Sequence, residues 1–503
     1  MKVLLVTGKL ASNIVKEIAS TLKIKADVLV LNYPIASLMT VDYIAESLKG
    51  KKLDDYDYII LPGLVAGDAR KIEEETKIRT IKGTEDIQDL PIMIELLEKG
   101  IEFSTLYPAD KVIKKEKFRD IKNILAKIEE NGEYKFEVDG VKIPIRPPPF
   151  RIFLELDGSK PLEELREELL EKKKYIDVAV IGFPNGHFDI DEVRKKVSKL
   201  RDILPVGIDS ASAEELIEGV KAGASFVFNL NEENLEKLEP IKNLSAFVIA
   251  PLSVENKADV TLRIYERAKK IGFEKVILDP ILSPPLLGVV DSIIEYKKVR
   301  ESVSEPMLMG ILNVTELIDA DSVGVNALLT SIAGELGIGN LLTMENGKTV
   351  GSVFEVKRAT QMVSISLVRK KPPKNVGIDL LILKDKKKYQ ENTIDIINPE
   401  VVKGHEEPKM MDNGFVKITK DDKWIYLTWY GKERFTIIGD DGLTIGRKLV
   451  QRVNINPEHA IYVGYELAKA EIALKLNKNY VQDKPLFKYD KGDDSINNNE
   501  GDN

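Results

Sequence analysis

Eight short apolar segments recur at an almost even interval through the middle of this chain, and that rhythm constrains the fold more than any other feature. They lie at 152–156, 178–181, 206–208, 226–229, 247–250, 276–278, 307–311 and 341–344. Their starts are about 27 residues apart, close to the roughly 30 per strand-and-helix unit expected when about 250 residues close into an eight-stranded barrel. Most are followed by a polar or Gly/Pro loop and an amphipathic stretch such as 213–222. An open α/β sheet of eight strands would keep the same rhythm, but the evenness of the repeat favours closure. The expected fold class is therefore α/β, with a central (β/α)8 TIM-type barrel over 148–372.

The flanks read differently. Residues 1–147 alternate apolar strands at 3–7, 28–32 and 58–61 with amphipathic helices, the pattern of a doubly wound, flavodoxin-like α/β domain. Pro147-Pro148-Pro149 then imposes an extended break. After Pro372-Pro373 the rhythm changes. Segments 424–429 and 434–438 carry aromatic and β-branched residues around Tyr430-Gly431-Lys432, which predicts an antiparallel hairpin, and a long helix follows from 457 to 476. The third unit is read as α+β over 373–487. Residues 488–503 are Asp/Asn/Gly/Lys-rich and are expected to be disordered.

Composition removes several classes of function. With no cysteine there are no disulfides, zinc–thiolate sites, iron–sulfur clusters or thiol nucleophiles, and three histidines leave little for a His-based metal centre, so no metal site is assigned. A formal net charge of −8 argues against nucleic-acid binding, which needs a concentrated basic face. No apolar run approaches the roughly 20 residues that span a bilayer, and the N-terminus lacks an export-signal pattern, so a cytoplasmic location is expected.

In a closed βα barrel the ligand site lies at the carboxyl ends of the strands, where the loops carry polar groups over a packed interior. The strand ends here are Asp157, Gly182, Asp209, Asn229, Pro251, Asp279, Asn313 and Glu345. Five of the eight, Asp209, Asn229, Asp279, Asn313 and Glu345, are carboxylates or amides that would converge on one mouth. The stretches Val206-Gly-Ile-Asp-Ser210, Ala222-Gly-Ala-Ser-Phe-Val-Phe-Asn229 and Val276-Ile-Leu-Asp279-Pro280 resemble the third, fourth and sixth strands of the pterin-binding barrels, the superfamily of dihydropteroate synthases and pterin-dependent methyltransferases. The whole chain resembles the archaeal dihydropteroate synthase-related proteins. What the resemblance implies is a pterin ligand, of tetrahydromethanopterin or dihydropterin type, held by Asp209, Asn229, Asp279 and Asn313, in pterin biosynthesis or one-carbon metabolism. A pterin presents adjacent N–H donors that one carboxylate can accept together, while an amide both donates and accepts at neighbouring ring atoms. The alternative is that Asp209 caps the helix at 213–222 and Asp279 orders a turn before Pro280.

Departures bear on the reaction. Where synthases of that resemblance carry glycines and a phenylalanine after the sixth strand, Ser-Arg-Lys after the seventh and Arg-x-His after the eighth, this chain reads Asp279-Pro-Ile-Leu-Ser283, Gly310-Ile-Leu-Asn-Val-Thr315 and Thr343-Met-Glu-Asn-Gly347. Asn313-Val-Thr315 with Asp319-Ala-Asp321-Ser322 resembles the synthase loop that meets pyrophosphate and magnesium, so Mg2+ enters if a diphosphate is the substrate. The other reading places Asn313 against the pterin ring, with Asp319 and Asp321 capping the next helix. A transferase acting on a pterin is implied; the alternatives are a non-catalytic pterin carrier and a methyltransferase with a corrinoid partner. A protein partner would dock through the terminal domains, and a homodimer is allowed.

Elsewhere, Thr7-Gly-Lys-Leu-Ala-Ser12 and Pro62-Gly-Leu-Val-Ala-Gly-Asp68 sit at strand-to-helix turns that could seat a phosphate, although tight turns need glycine regardless. His459, Glu466, Lys469 and Glu471 share one predicted helix, read as a helix-start histidine with a solvated or interface charge set. That stretch also resembles a domain of archaeal proteins related to a subunit of the methanopterin-dependent methyltransferase. His187 and His405 have no partner visible in the sequence.

Overall fold

The computed structural model describes residues 1–386, 400, 402 and 414–487; the tail at 488–503 and His405 lie outside them. The chain divides into two compact units, Met1–Ile394 and Asp395–Asn503.

The first unit begins with four parallel strands, β1 (Lys2–Thr7), β2 (Lys25–Val30), β3 (Tyr58–Leu61) and β4 (Arg79–Lys82), in the order β2-β1-β3-β4. Helices cover both faces, giving two separate apolar layers around residues such as Ile44 and Met93. The turn glycines singled out by sequence have a structural cause. A Cβ on Gly8 would stand 2.8 Å from the Tyr33 carbonyl oxygen, and one on Gly63 would stand 2.7 Å from the Thr84 backbone. The helix Asp110–Glu130 leads away from this sheet to the barrel, where Ile121, Ile124 and Leu125 pack with Met362 and Ile365.

A short antiparallel hairpin follows, β5 (Tyr134–Val138) and β6 (Val141–Pro144), turning at Asp139-Gly140, both with positive φ. Then come eight parallel strands: β7 (Arg151–Asp157), β8 (Val178–Gly182), β9 (Val206–Asp209), β10 (Phe226–Leu230), β11 (Ala246–Ile249), β12 (Val276–Leu278), β13 (Leu308–Gly310) and β14 (Asn340–Met344). Their order is β12-β11-β10-β9-β8-β7-β14-β13, and a parallel bridge from Leu278 to Met307 joins the two ends, so the sheet closes on itself. All eight coincide with the apolar segments of the sequence to within a residue or two.

Each strand alternates between two environments, as a period of two requires. On β7, Ile152, Leu154 and Leu156 face the surrounding helices, while Phe153 faces the interior of the cylinder. Val178, Val180, Phe226, Phe228, Ala246, Val248, Ile277, Leu308 and Leu342 fill that interior. The hairpin closes its base: Val138, Val141 and Ile143 join the same cluster, and Ser225 Oγ donates to Asp139 at 2.9 Å. Arg151 fastens the arrangement from below, donating to the Lys142 carbonyl at 2.8 Å and pairing with Glu129 of the long helix.

The second unit holds an antiparallel sheet of β15 (Phe415–Lys420), β16 (Ile425–Tyr430) and β17 (Arg434–Gly439), with helices Gly442–Arg452 and Pro457–Lys475 on one face. The expected hairpin and long helix are both present. Glu466 and Lys469 depart from the expectation of a solvated face. They form a buried pair at 2.7 Å, and Tyr480 donates to Glu466 at 2.7 Å. No helix among the described residues is long and apolar enough to cross a membrane.

Phe153 is fully buried and meets Phe226 edge to face at 5.3 Å, so it anchors the interior. Phe153→Ala should lower unfolding stability by about 3–5 kcal/mol, the range for emptying a large aromatic site. Chemical denaturation followed by far-UV circular dichroism would show it as a lower midpoint.

Candidate functional site at the barrel mouth

The alternation that fills the barrel also decides what stands at its top. Two residues above Phe153 on the same face comes Glu155. On β9 the inward position after Gly207 is Asp209, and past Ile277 on β12 it is Asp279. Strand β8 offers Gly182 at this level and β13 offers Gly310, so the layer is open between carboxylates. A Cβ on Gly182 would lie 2.9 Å from Glu155 Oε1, which shows how closely that carboxyl leans over the glycine.

Asn229 reaches the mouth by a different device. Simple alternation from Phe226 and Phe228 would turn it outward, yet the register of β10 against β11 shifts between Val227 and Leu230, and Asn229 takes φ = 67°. An irregularity of this kind re-aims a side chain, and a left-handed non-glycine residue there is a strained conformation held by its surroundings. Its carbonyl accepts from Asn231 Nδ2 at 3.0 Å and Asn234 Nδ2 at 2.8 Å. Its amide donates to Asp209 Oδ1 at 2.5 Å.

A cavity of about 680 Å3 opens over this layer, within the size range of small-molecule sites. Glu155, Asp209 and Asn229 line it, as do Phe183, Pro184 and Asn185 after β8 and, at the end of β14, Met344 and the following Glu345. Asp279 and Asn313 do not line this cavity: Asp279 begins the loop after β12, and Asn313 lies in the short helix Leu312–Thr315 after β13. Asp279 Oδ1 accepts from the fully buried Tyr296 hydroxyl and from the Ile281 amide at 2.8 Å. Asn313 donates to the Leu282 carbonyl at 3.0 Å. The structure thus joins Asp209 and Asn229 directly and sets Asp279 just past β12; Asn313, expected at a strand end, instead lies in the helix that follows β13.

The alternatives weighed for the two aspartates separate here. Asp209 does not cap the following helix, because Ser212 does so by accepting from the Glu215 amide at 3.3 Å. Asp279 does order its turn, through Ile281. Asp321 occupies the N-cap position of helix Ser322–Leu336 without a side-chain capping bond, while Asp319 pairs with Lys348 at 2.9 Å. Among the described residues no group of three or more His, Asp or Glu could hold a metal ion.

The buried carboxyls titrate high. Withdrawal from water, reinforced by the charges of Asp209, Glu316 and Asp157, raises Glu155 to about 7. Burial raises Asp209 to about 6 against the lowering hydrogen bond from Asn229, and Asp279 to about 6 against those from Tyr296 and Ile281. Near neutral pH the mouth therefore holds two acceptor carboxylates beside a carboxyl group that is partly protonated.

Sequence reasoning passed over Glu155 for Asp157, whose carboxylate instead binds Ser159 N at 2.9 Å in a turn. The signal was a lone acid inside the run Ile152-Phe-Leu-Glu-Leu156, in phase with Phe153. His187 was missed as well. Its Nδ1 lies 2.6 Å from Glu215 Oε1 and its Nε2 3.0 Å from Glu192 Oε2, while Ser210 Oγ, beside Asp209, donates to the other oxygen of Glu215. A neutral imidazole has one N–H, so two carboxylate contacts require the imidazolium.

Fold and mouth together define a closed parallel α/β barrel with a polar, acid-lined cavity at the carboxyl ends of its strands. The family model PterinBD-DUF4346 matches residues 412–483. The chain is 33% identical over 97% of its length, and 99% of the relative's, to a Methanocaldococcus jannaschii protein titled "Uncharacterized protein MJ0107". It belongs to the same family as that protein. Solved structures it is similar to include dihydropteroate synthases from Xanthomonas albilineans, in complex with indole-2-carboxylic acid and 6-chloroguanine (16% identity, 46% of this chain, 96% of that one, TM-score 0.37), and Thermus thermophilus, in complex with 6HMPPP (15%, 46%, 97%, 0.37). The barrel itself rests on the strand pairing described above.

The hydrogen bond with Glu192, then that with Glu215, raises His187 above its ordinary 6.5 against the opposing pull of burial. A raised histidine stabilises fully below its unfolded value and loses that contribution as pH climbs through the folded one. Lys196, which pairs with Glu192, is the other charge in this cluster. Hydrogen exchange in residues 183–189 should quicken as pH rises through the folded value of His187, after correction for the intrinsic rate. In His187→Gln the exchange should be fast throughout, with that step absent.

Proposed function

We propose that the barrel mouth binds the head group of a reduced or dihydro pterin, of methanopterin type, and that the protein serves pterin synthesis or one-carbon metabolism by group transfer at the carbon held over the mouth. The observation that carries this reading is the Asp209–Asn229 pair, hydrogen-bonded on adjacent strand ends at the floor of a polar cavity. An acceptor carboxylate beside an amide matches the donor–donor–acceptor edge of an aminopyrimidinone. In this reading Asp279 supplies a second carboxylate from the next wall, since only its Oδ1 is engaged among the described residues, and Asn313 approaches the far edge of the ring. Glu155, titrating near neutrality, exchanges a proton with a ring nitrogen as the transferred carbon leaves or arrives.

A second reading, in which a partner protein carries the acceptor, is favoured by the rim. Leu252, Val254, Leu286 and Leu287, all in loops at the carboxyl ends of strands, are more than half exposed. A corrinoid protein would be such a partner.

Calorimetric titration with dihydro- and tetrahydropterins tests the head-group site. Asp209→Ala should weaken binding by about 2–5 kcal/mol, the cost of stranding a desolvated donor. Unchanged affinity in Asp279→Ala would remove Asp279 from the site. An aspartate accepts with both oxygens and as a charged partner only when ionised, so affinity should hold above pH 6 and fall as pH drops below it. The fall should be about tenfold per unit for each carboxylate the ligand uses.

A further inference from the structure

We propose that the pterin taken by this mouth carries a neutral substituent, such as a one-carbon or alkyl group, and that pterin diphosphate esters are excluded by charge. The inference rests on the pterin reading above and names the substrate class of the same site.

The floor of the cavity holds Glu155 and Asp209, which form no ion pair with a lysine or arginine among the described residues. The walls add Asp157, Glu233 and Glu345. Against these the lining offers two cations, Lys160 and Lys237, and no arginine. Lys160 is already committed to Glu168 at 2.9 Å. The lysine behind that wall, Lys172, is shared between Glu168 at 2.7 Å and Glu345 at 2.9 Å. Lys237 remains, on an exposed stretch at the rim.

A diphosphate brings several negative charges and is held elsewhere by bidentate arginine, by lysine or by a cluster of backbone amides. Here it would enter a space whose walls carry its own sign, where like charges repel it. A neutral substituent meets no such penalty, and the protonation of Glu155 near neutral pH does not supply a cation. The selectivity lies in the summed field of the walls, so it should weaken with salt and with reversal of a single wall charge.

Three ligands separate the outcomes: 6-hydroxymethyl-7,8-dihydropterin, its diphosphate ester and 5-methyl-tetrahydropterin, each titrated into the full chain by calorimetry at low and at physiological ionic strength. The expected result is at least tenfold weaker binding of the diphosphate than of the alcohol at low salt. The gap should narrow at higher salt and in Glu233→Lys, with the alcohol affinity of that variant serving as the control for folding. Equal or tighter binding of the diphosphate would overturn the inference while leaving the pterin reading intact. Failure of all three to bind would overturn the pterin reading itself, and the inference with it.

Discussion

Everything at the mouth depends on one packing constraint, the sealing of the cylinder's base by the β5–β6 hairpin beneath a layer of aromatic rings. Val138, Val141 and Ile143 close the interior from below, and Phe153, Phe226 and Phe228 fill it, so the next inward positions stand on a dry floor. A carboxyl placed there loses hydration on one side and cannot recover it from the barrel. The elevated titration of Glu155 and Asp209 follows from that placement, because neither has a cation to offset the loss. A hairpin at one end of the barrel thus sets the electrostatics of the other.

The period of two made most of this legible in advance. Eight apolar segments at even spacing gave the barrel strands, and the acids and amides ending them marked the mouth. Glu155 was overlooked because reading the last polar residue of a strand favours Asp157, whereas counting phase from Phe153 selects the acid two residues earlier. Asn229 shows the opposite case: phase alone would turn it outward, and only the register shift and its positive φ bring it to Asp209. The β5–β6 hairpin was hidden before the Pro147-Pro148-Pro149 break, since its strands are short and a third of their residues are exposed. Strand β4 was hidden by its polar composition, Arg-Thr-Ile-Lys, although three of its four residues are buried.

Polar contacts between elements distant in sequence were beyond such reading. The His187 cluster joins residues 28 apart, and nothing in the stretch Asn185-Gly-His187 announces that two carboxylates will meet the ring. The Glu466–Lys469 pair is local, but it is buried with Tyr480 from the following segment, and the sequence alone left that pair on a solvated or interface face.

The two aspartates at the mouth differ in a way that bears on their work. Asp279 is clamped through one oxygen by a buried tyrosine hydroxyl and a backbone amide, so its orientation is fixed before any ligand arrives. Asp209 is oriented by an amide that would itself contact the ring, so its position and that of Asn229 can adjust together. A rigid acceptor and an adjustable acceptor–donor pair suit a flat ring that must be held while its substituent changes. In the proposed function Glu155 would add the third requirement of group transfer, a group able to give or take a proton near neutral pH without leaving the floor. These functions fall on separate strands, so a change in one need not displace the others, which is the advantage of building a site from the ends of a closed barrel.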